Sequence, residues 1–178
     1  MIPNLITLYR LLSIPFFIWF LKQSLRGWAT LIFGIAIISD FIDGYLARKI
    51  LKKNEIGALL DPLADKFLLM SSFVCLYMFK NLPLNIPFWV VLVVLTRDLI
   101  LLLGGGLMLL MGIKFKIEPT IWGKLTTFFQ MFTVLSVLLN FRFSFIFWQV
   151  GCIFTVISGV DYMVKGIKII NKNTDVAK

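Results

Sequence analysis

Histidine is absent from the 178-residue chain. That removes the commonest general base near neutral pH and the commonest transition-metal ligand, so any chemistry falls to carboxylates, hydroxyls and oxygen-loving metals. Cysteine is nearly absent. Cys75 and Cys152 both lie inside apolar runs and read as small hydrophobes rather than as a disulfide or a metal pair. Charge is scarce as well: 15% of residues are charged and 60% are hydrophobic, where a soluble domain has about 25% charged. With a mean hydropathy of +0.93, these shortages exclude an ordinary soluble enzyme and point to the membrane. Acidic residues are the scarcest charges, nine against 18 Lys and Arg, for a net charge of +9. The basic excess sits in short stretches between apolar runs, which suits a positive-inside topology rather than nucleic-acid binding.

A spanning helix needs about 20 mostly apolar residues. Six such segments are present, at 5–22, 27–48, 58–79, 87–112, 119–140 and 143–170. The expected fold is therefore all-α: a polytopic membrane protein with six transmembrane helices in one bundle, forming a single domain over 1–178. Pro15 is expected to interrupt the first segment, which can begin as an interfacial helix near Pro3. That segment lacks a basic start and a small-residue cleavage site, so it is expected to stay in the mature protein. With the N-terminus inside, the cytoplasmic stretches hold twelve Lys and Arg and the outer ones four, namely Lys22, Arg26, Lys80 and Arg142. That asymmetry places both termini in the cytoplasm. Gly104–Gly106 reads as a site of close helix approach, since no strand or basic partner accompanies it as a nucleotide loop would require.

Four of the nine acidic residues, Asp40, Asp43, Asp61 and Asp65, fall where the second apolar segment ends and the third begins. Carboxylates inside spanning segments are expensive and mark function by default, whereas a lone aspartate there would more often cap a helix. Residues three and four apart share a helix face. Asp40, Asp43, Gly44 and Ala47 thus line one side of the second helix, and Gly57, Asp61 and Asp65 one side of the third. A short basic connection makes the two helices an antiparallel pair, with an active-site cavity open to the cytoplasmic side. Four carboxylates in a partly dry place require cations, and an oxygen-only set suits Mg²⁺ or Mn²⁺. Gly44 and Gly57 leave room for a substrate beside the carboxylates. Arg48, one turn beyond Gly44, suits a phosphate.

Written out, the run is Asp40-x-x-Asp43-Gly44-x-x-Ala47-Arg48, eight residues, then Gly57-x-x-x-Asp61-x-x-x-Asp65. It resembles the CDP-alcohol phosphotransferase (CDP-alcohol phosphatidyltransferase) signature in every fixed position and spacing. Pro3-Asn4-Leu5-x-Thr7-x-x-Arg10 and Asp61-Pro62-Leu63-Ala64-Asp65-Lys66 are also similar to members of that family. The resemblance implies transfer of a phosphatidyl group from CDP-diacylglycerol to a hydroxyl, with release of CMP. It implies that Asp40, Asp43 and Asp61 hold two metal ions with a contribution from Asp65. Asp65 would also be the general base. Asn4, Thr7, Gly44, Ala47, Arg48 and Gly57 would form the CDP-lipid pocket. It also implies a homodimer in the cell (inner) membrane.

The acceptor is less legible. Arg97 and Asp98 lie deep in the fourth segment, where an unpaired arginine is costly. Arg97 is either a structural ion-pair partner or grips an anionic acceptor, with Arg10 and Lys124 completing the pocket. Asp98 points about 100° away on a regular helix and reads as a poor partner for Arg97. Glycerol 3-phosphate is the leading acceptor, because the N-terminus and the 61–66 run resemble phosphatidylglycerophosphate synthases. Those relatives carry Arg-Glu followed by a second arginine in the fourth helix, whereas here Arg97-Asp98 runs into leucines and glycines. The Arg-Asp pair and Gly123-Lys124 also resemble CMP-forming cardiolipin synthases, which use phosphatidylglycerol. Inositol phosphate and serine are further alternatives. Outside the family, a cation-binding transport protein would explain the carboxylates but not the Gly-x-x-Ala-Arg positions. A prenyltransferase would need a second acidic motif, which the sequence lacks.

Activity is expected to require a divalent metal and to vanish on chelation. Asp40→Asn, Asp43→Asn and Asp61→Asn should each lose metal-dependent CDP-lipid binding, while Asp65→Asn keeps binding and loses turnover. CMP release and CDP-lipid binding, each with and without excess EDTA, check this. Full turnover in the chelator would remove the carboxylates from the chemistry.

Overall fold

In an apolar medium every backbone N–H and C=O must find its partner within the chain, so long apolar runs fold as helices. The computed structural model describes residues 2–49, 55–79, 84–110 and 120–176, with side chains at 9–39, 64, 66–79, 84–107 and 120–169. It contains α1 (Ile2–Lys22), α2 (Arg26–Lys49), α3 (Glu55–Met78), α4 (Phe88–Leu110), α5 (Ile121–Leu138) and α6 (Ser144–Val176), and no strand among the described residues. Each expected apolar segment is a helix. Among the described residues, three stretches are long and apolar enough to cross a membrane: Phe88–Leu107, Ile121–Leu138 and Ser144–Ile169. α2 and α3 add shorter apolar stretches, Arg26–Ser39 and Lys66–Met78, on the halves away from the aspartates.

Two expectations are corrected by the helices themselves. Pro15 lies inside α1, which runs through it without a break. Such a proline is tolerated inside a membrane helix; the carbonyl it frees is that of Leu11, and in the same turn Ser13 Oγ donates to the neighbouring Arg10 carbonyl at 2.6 Å. α6 runs to Val176 rather than to 170, and its 33 residues span about 50 Å. Hydropathy marks where a helix leaves the bilayer; it does not mark where the helix ends.

The hairpins α1–α2 and α5–α6 are closed by one turn geometry. At the end of α1, Ser24 N–H donates to Leu21 O and Leu25 N–H to Phe20 O, with Ser24 at φ 60°. At the end of α5, Asn140 N–H donates to Val137 O and Phe141 N–H to Ser136 O, with Asn140 at φ 56°. These are Schellman caps, which satisfy the last carbonyls through one left-handed residue. Asparagine tolerates that region better than serine does. At its other end α5 is capped by Thr120, whose Oγ1 accepts from Gly123 N–H at 3.1 Å.

Helix α3 packs on α1, α4 and α5, α2 packs on α1 and α5, and α6 packs on α5 and α4. The two aspartate-bearing helices α2 and α3 therefore share α1 and α5 as neighbours. The apolar core includes Phe17 and Phe33, with ring centroids 5.8 Å apart, together with Leu69, Phe73, Leu76, Val90, Val94, Val134 and Val137. Its complement is unusual for a soluble protein. Arg10, Arg97, Asp98, Thr126, Gln130, Thr133, Thr155 and Ser158 are buried, while Leu92, Leu103, Leu107, Ile153, Val156 and Val160 are exposed. Apolar outside and small-polar inside is the pattern of a bundle solvated by lipid.

The close approach expected at Gly104–Gly106 is not found at Gly104 or at Gly106. A Cβ added at Gly104 or Gly106 meets nothing within 4 Å. The tight contacts lie on α5 and α6: a Cβ at Gly123 would stand 3.0 Å from the Tyr162 hydroxyl, and one at Gly151 3.5 Å from Phe129 Cβ. Glycine spacing alone does not say which helix face meets a neighbour. Gly104→Ala should hold or raise the thermal unfolding temperature in detergent, since alanine favours helix over glycine by about 1 kcal/mol. Gly123→Val, whose branches must displace Tyr162, should lower it. A larger loss from Gly104→Ala would make α4 the closely packed helix instead.

Candidate active site

The C-terminal half of α2 carries Asp40, Asp43, Gly44, Ala47 and Arg48, and the N-terminal half of α3 carries Gly57, Asp61 and Asp65. Asn4 and Thr7 lie in the first turns of α1. All eight motif residues are thus on helical backbone at the spacings that share a face. Their side chains, with those of Asn4 and Thr7, lie outside the described residues. So does the connection 50–54.

The described side chains frame this region from the bundle interior. Arg10 is buried in a small cavity walled by Phe33, Ala36, Ile37, Leu68, Leu69 and Met131. Ala36 and Ile37 lie one turn before Asp40, and Leu68 and Leu69 one turn after Asp65, so Arg10 adjoins both ends of the motif. Lys124, on the first turn of α5, is exposed. The structure does not join it to Arg10 or Arg97.

Arg97 is at the centre of a buried network. Its Nη1 donates to Asp98 Oδ1 at 2.6 Å and its Nη2 to Ser158 Oγ at 2.7 Å. Its guanidinium carbon stands 5.7 Å from the centroid of the Tyr162 ring, within cation–π range. Lys66 Nζ, from α3, reaches the same Asp98 Oδ1 at 2.5 Å. The reading of Asp98 as a poor partner is therefore corrected. Side-chain directions at adjacent positions diverge at Cβ, but a guanidinium on a long flexible stem bends back around the helix to reach its neighbour. The network ties α3, α4 and α6 together and brings two cations onto one carboxylate oxygen.

Lys66, Ser158 and Tyr162 escaped the sequence reading as members of this group. The signal for Lys66 was present: it is a third charge inside an apolar segment, of sign opposite to Asp98, and buried charges are paired. Nothing in the sequence singles out Ser158 or Tyr162 among the other polar residues of α6.

A family model described as CDP-alcohol phosphatidyltransferase matches residues 1–157. The CDP-diacylglycerol–glycerol-3-phosphate 3-phosphatidyltransferase of Aquifex aeolicus is 36% identical, over 96% of this chain and 98% of that protein. The Bacillus subtilis protein of the same name is 30% identical, over 92% of this chain and 94% of its own. A cardiolipin synthase (CMP-forming) of Streptomyces coelicolor is 33% identical, over 78% of this chain and 65% of that protein.

Burial separates the polar contacts by weight. Ser158→Ala removes the acceptor of a buried charged donor and should lower stability by about 1.5–3 kcal/mol. Asp161→Ala breaks only the exposed i,i+4 pair with Lys165 and should change it by about 0.5 kcal/mol or less. Thermal unfolding of both variants in one detergent checks this, and equal losses would show that the Arg97–Ser158 bond adds nothing beyond a surface pair.

Proposed function

The chain belongs to the CDP-alcohol phosphatidyltransferase family of enzymes, and we propose that it transfers the phosphatidyl group of CDP-diacylglycerol to glycerol 3-phosphate, giving phosphatidylglycerophosphate and CMP. The observation that carries an anionic acceptor is the buried network, in which Lys66, the residue after Asp65 in sequence, and Arg97 converge on one oxygen of Asp98. Basic side chains gathered in a low-dielectric bundle have a phosphate as their natural ligand. Similarity over almost the whole length of proteins named for glycerol 3-phosphate favours that acceptor among the anionic ones.

Divalent metal ions are general to the family, and the donor set here fits them. Four carboxylates at helical spacing on consecutive helices, with no histidine in the chain, offer oxygen ligands only. Asp40, Asp43 and Asp61 would hold two ions, Mg²⁺ or Mn²⁺, with a contribution from Asp65. Metal held there would supply neutralisation of the diphosphate and of charge on the leaving CMP. The chain's own residues do the rest. Asn4, Thr7, Gly44, Ala47, Arg48 and Gly57 receive the CDP-lipid, with the glycines leaving space and Arg48 meeting a phosphate. Asp65 takes the proton of the acceptor hydroxyl as the oxygen attacks phosphorus. Arg10, Arg97 and Lys124 supply positive charge for the acceptor's phosphate.

The same reading makes 1–178 one domain of six spans in the cell membrane, working as a homodimer with both termini and the active site cytoplasmic. The basic stretches at 48–53, 114–124 and 165–178 support that orientation. A cardiolipin-forming reaction on phosphatidylglycerol is the second reading, favoured by the Streptomyces relative and by Arg97-Asp98 and Gly123-Lys124.

Purified enzyme given CDP-diacylglycerol and metal should release CMP with glycerol 3-phosphate and make phosphatidylglycerophosphate. Phosphatidylglycerol, inositol phosphate and serine, offered in parallel with product lipids identified, should give little. Cardiolipin as the product would select the second reading.

A further inference from the structure

Arg97 has donors that the buried network does not use. A guanidinium carries five N–H groups; in Arg97, Nη1 gives one to Asp98 and Nη2 one to Ser158. Its Nε is buried and meets no acceptor among the described residues. A buried charged donor without an acceptor is costly, which fits a side chain kept for an anion and not only for the fold. Its direction is set by α6. The Arg97 stem lies over Gly159, where an added Cβ would stand 3.5 Å from Cγ. Ser158 and Tyr162, one turn apart on the same helix face, flank the head of the side chain, whose guanidinium carbon stands over the Tyr162 ring. The far edge of that half-buried tyrosine rests on α5. Its hydroxyl accepts from Thr120 N–H at 3.4 Å, and a Cβ at Gly123 would come to 3.0 Å from the same hydroxyl and 3.2 Å from Cε2. Helices α4 and α5 each pack on α6, and Tyr162 touches both Arg97 of the one and the first turn of the other.

We propose that Tyr162 is a positioning residue for Arg97: its ring holds the guanidinium in the orientation that meets the acceptor's phosphate, and its seat against Thr120 and Gly123 holds the ring. This rests on the phosphorylated-acceptor reading above, in which Arg97 supplies charge to that phosphate. Hydrogen bonds at Nη1 and Nη2 fix two atoms of the guanidinium but permit a swing about the line through them. A ring face over the central carbon limits that swing. It does so without taking an N–H, because a cation–π contact works through the ring quadrupole rather than a lone pair. A carboxylate in the same place would consume a donor and offset the charge. Gly123 serves the same end, since a side chain there would push the ring edge from its seat. Tyr162 touches no substrate in this scheme and acts through Arg97.

Steady-state kinetics of the full-length enzyme in detergent, with metal, CDP-diacylglycerol and glycerol 3-phosphate, test the role. Tyr162→Leu should raise the KM for glycerol 3-phosphate roughly threefold to thirtyfold, the equivalent of a lost cation–π contact, while the KM for CDP-diacylglycerol stays within about twofold. Tyr162→Phe keeps the ring and should hold the acceptor KM within about twofold of wild type. In an Arg97→Gln background Tyr162→Leu should add nothing, because a residue acting only through Arg97 has nothing left to position. If Tyr162→Leu does not fold, ring-fluorinated phenylalanines at position 162 keep the shape while drawing electron density from the ring face. The acceptor KM should then climb with each added fluorine, which a purely structural ring would not cause. An acceptor KM unchanged in Tyr162→Leu, a flat fluorine series, or a Tyr162→Phe variant as impaired as Tyr162→Leu overturns the role of the ring. Additive effects in the double variant, or both KM values moving together, overturn action through Arg97. If the wild-type enzyme releases no CMP with glycerol 3-phosphate, the acceptor reading has failed instead, and that control tells the two failures apart.

Discussion

Charge inside an apolar bundle has no water to solvate it, so it is either compensated by the chain or reserved for a charged ligand. That constraint governs both polar regions of this protein. On α2 and α3, four aspartates stand at helical spacing, negative charge that divalent metal ions of the kind the family uses would relieve. Between α3, α4 and α6, two cations meet on one carboxylate oxygen. The regions concentrate opposite charges and are linked through a single sequence step, Asp65 to Lys66. On the proposed function, a metal-bound phosphoanhydride and a phosphorylated nucleophile would be the two partners that such a division of charge separates and then brings together.

The helices were legible because hydrophobic run length is a direct consequence of bilayer thickness, and each of the six runs became a helix. Where reading failed, side-chain reach or face direction decided the outcome. Gly104–Gly106 looked like a packing motif, but glycines mark a contact only when their face meets another helix, and α4 turns Gly104 and Gly106 away from close neighbours. Gly123 and Gly151, less conspicuous in sequence, lie where α5 and α6 meet. Arg97 and Asp98 were judged by Cβ direction, which fails for a side chain long enough to wrap around its own helix. The aspartate motif was conspicuous in identity and spacing, and its residues lie on the helical backbone of α2 and α3 as that spacing implied; what its carboxylates hold is a matter of side chains outside the described residues.

The interior of the α5–α6 pair shows how such a bundle is held. Lipid chains are as apolar as leucine, so burial of apolar surface gives no preference for one helix partner over another. Specificity comes from small residues and short hydroxyl bonds. Thr126 Oγ1 donates to the Phe154 carbonyl across the interface at 2.9 Å, and Gln130 Nε2 approaches Thr155 Oγ1 at 3.5 Å. Gly151 brings the backbone against Phe129. The aromatic rings of Phe129 and Phe154 stack at 5.1 Å and close the remaining gap.

The Schellman turns at Ser24 and Asn140 also have a kinetic consequence. Each joins two helices across a few residues, so α1–α2 and α5–α6 close short loops at small entropic cost. The contacts of α3 with α1 and α5, and of α4 with α6, close longer ones. Assembly by loop closure therefore runs from the two outer hairpins toward α3 and α4. Those last-docking helices carry Asp61, Asp65, Lys66, Arg97 and Asp98. The α3 half of the aspartate motif therefore joins its α2 half only once the two hairpins exist, at the end of folding rather than at the beginning.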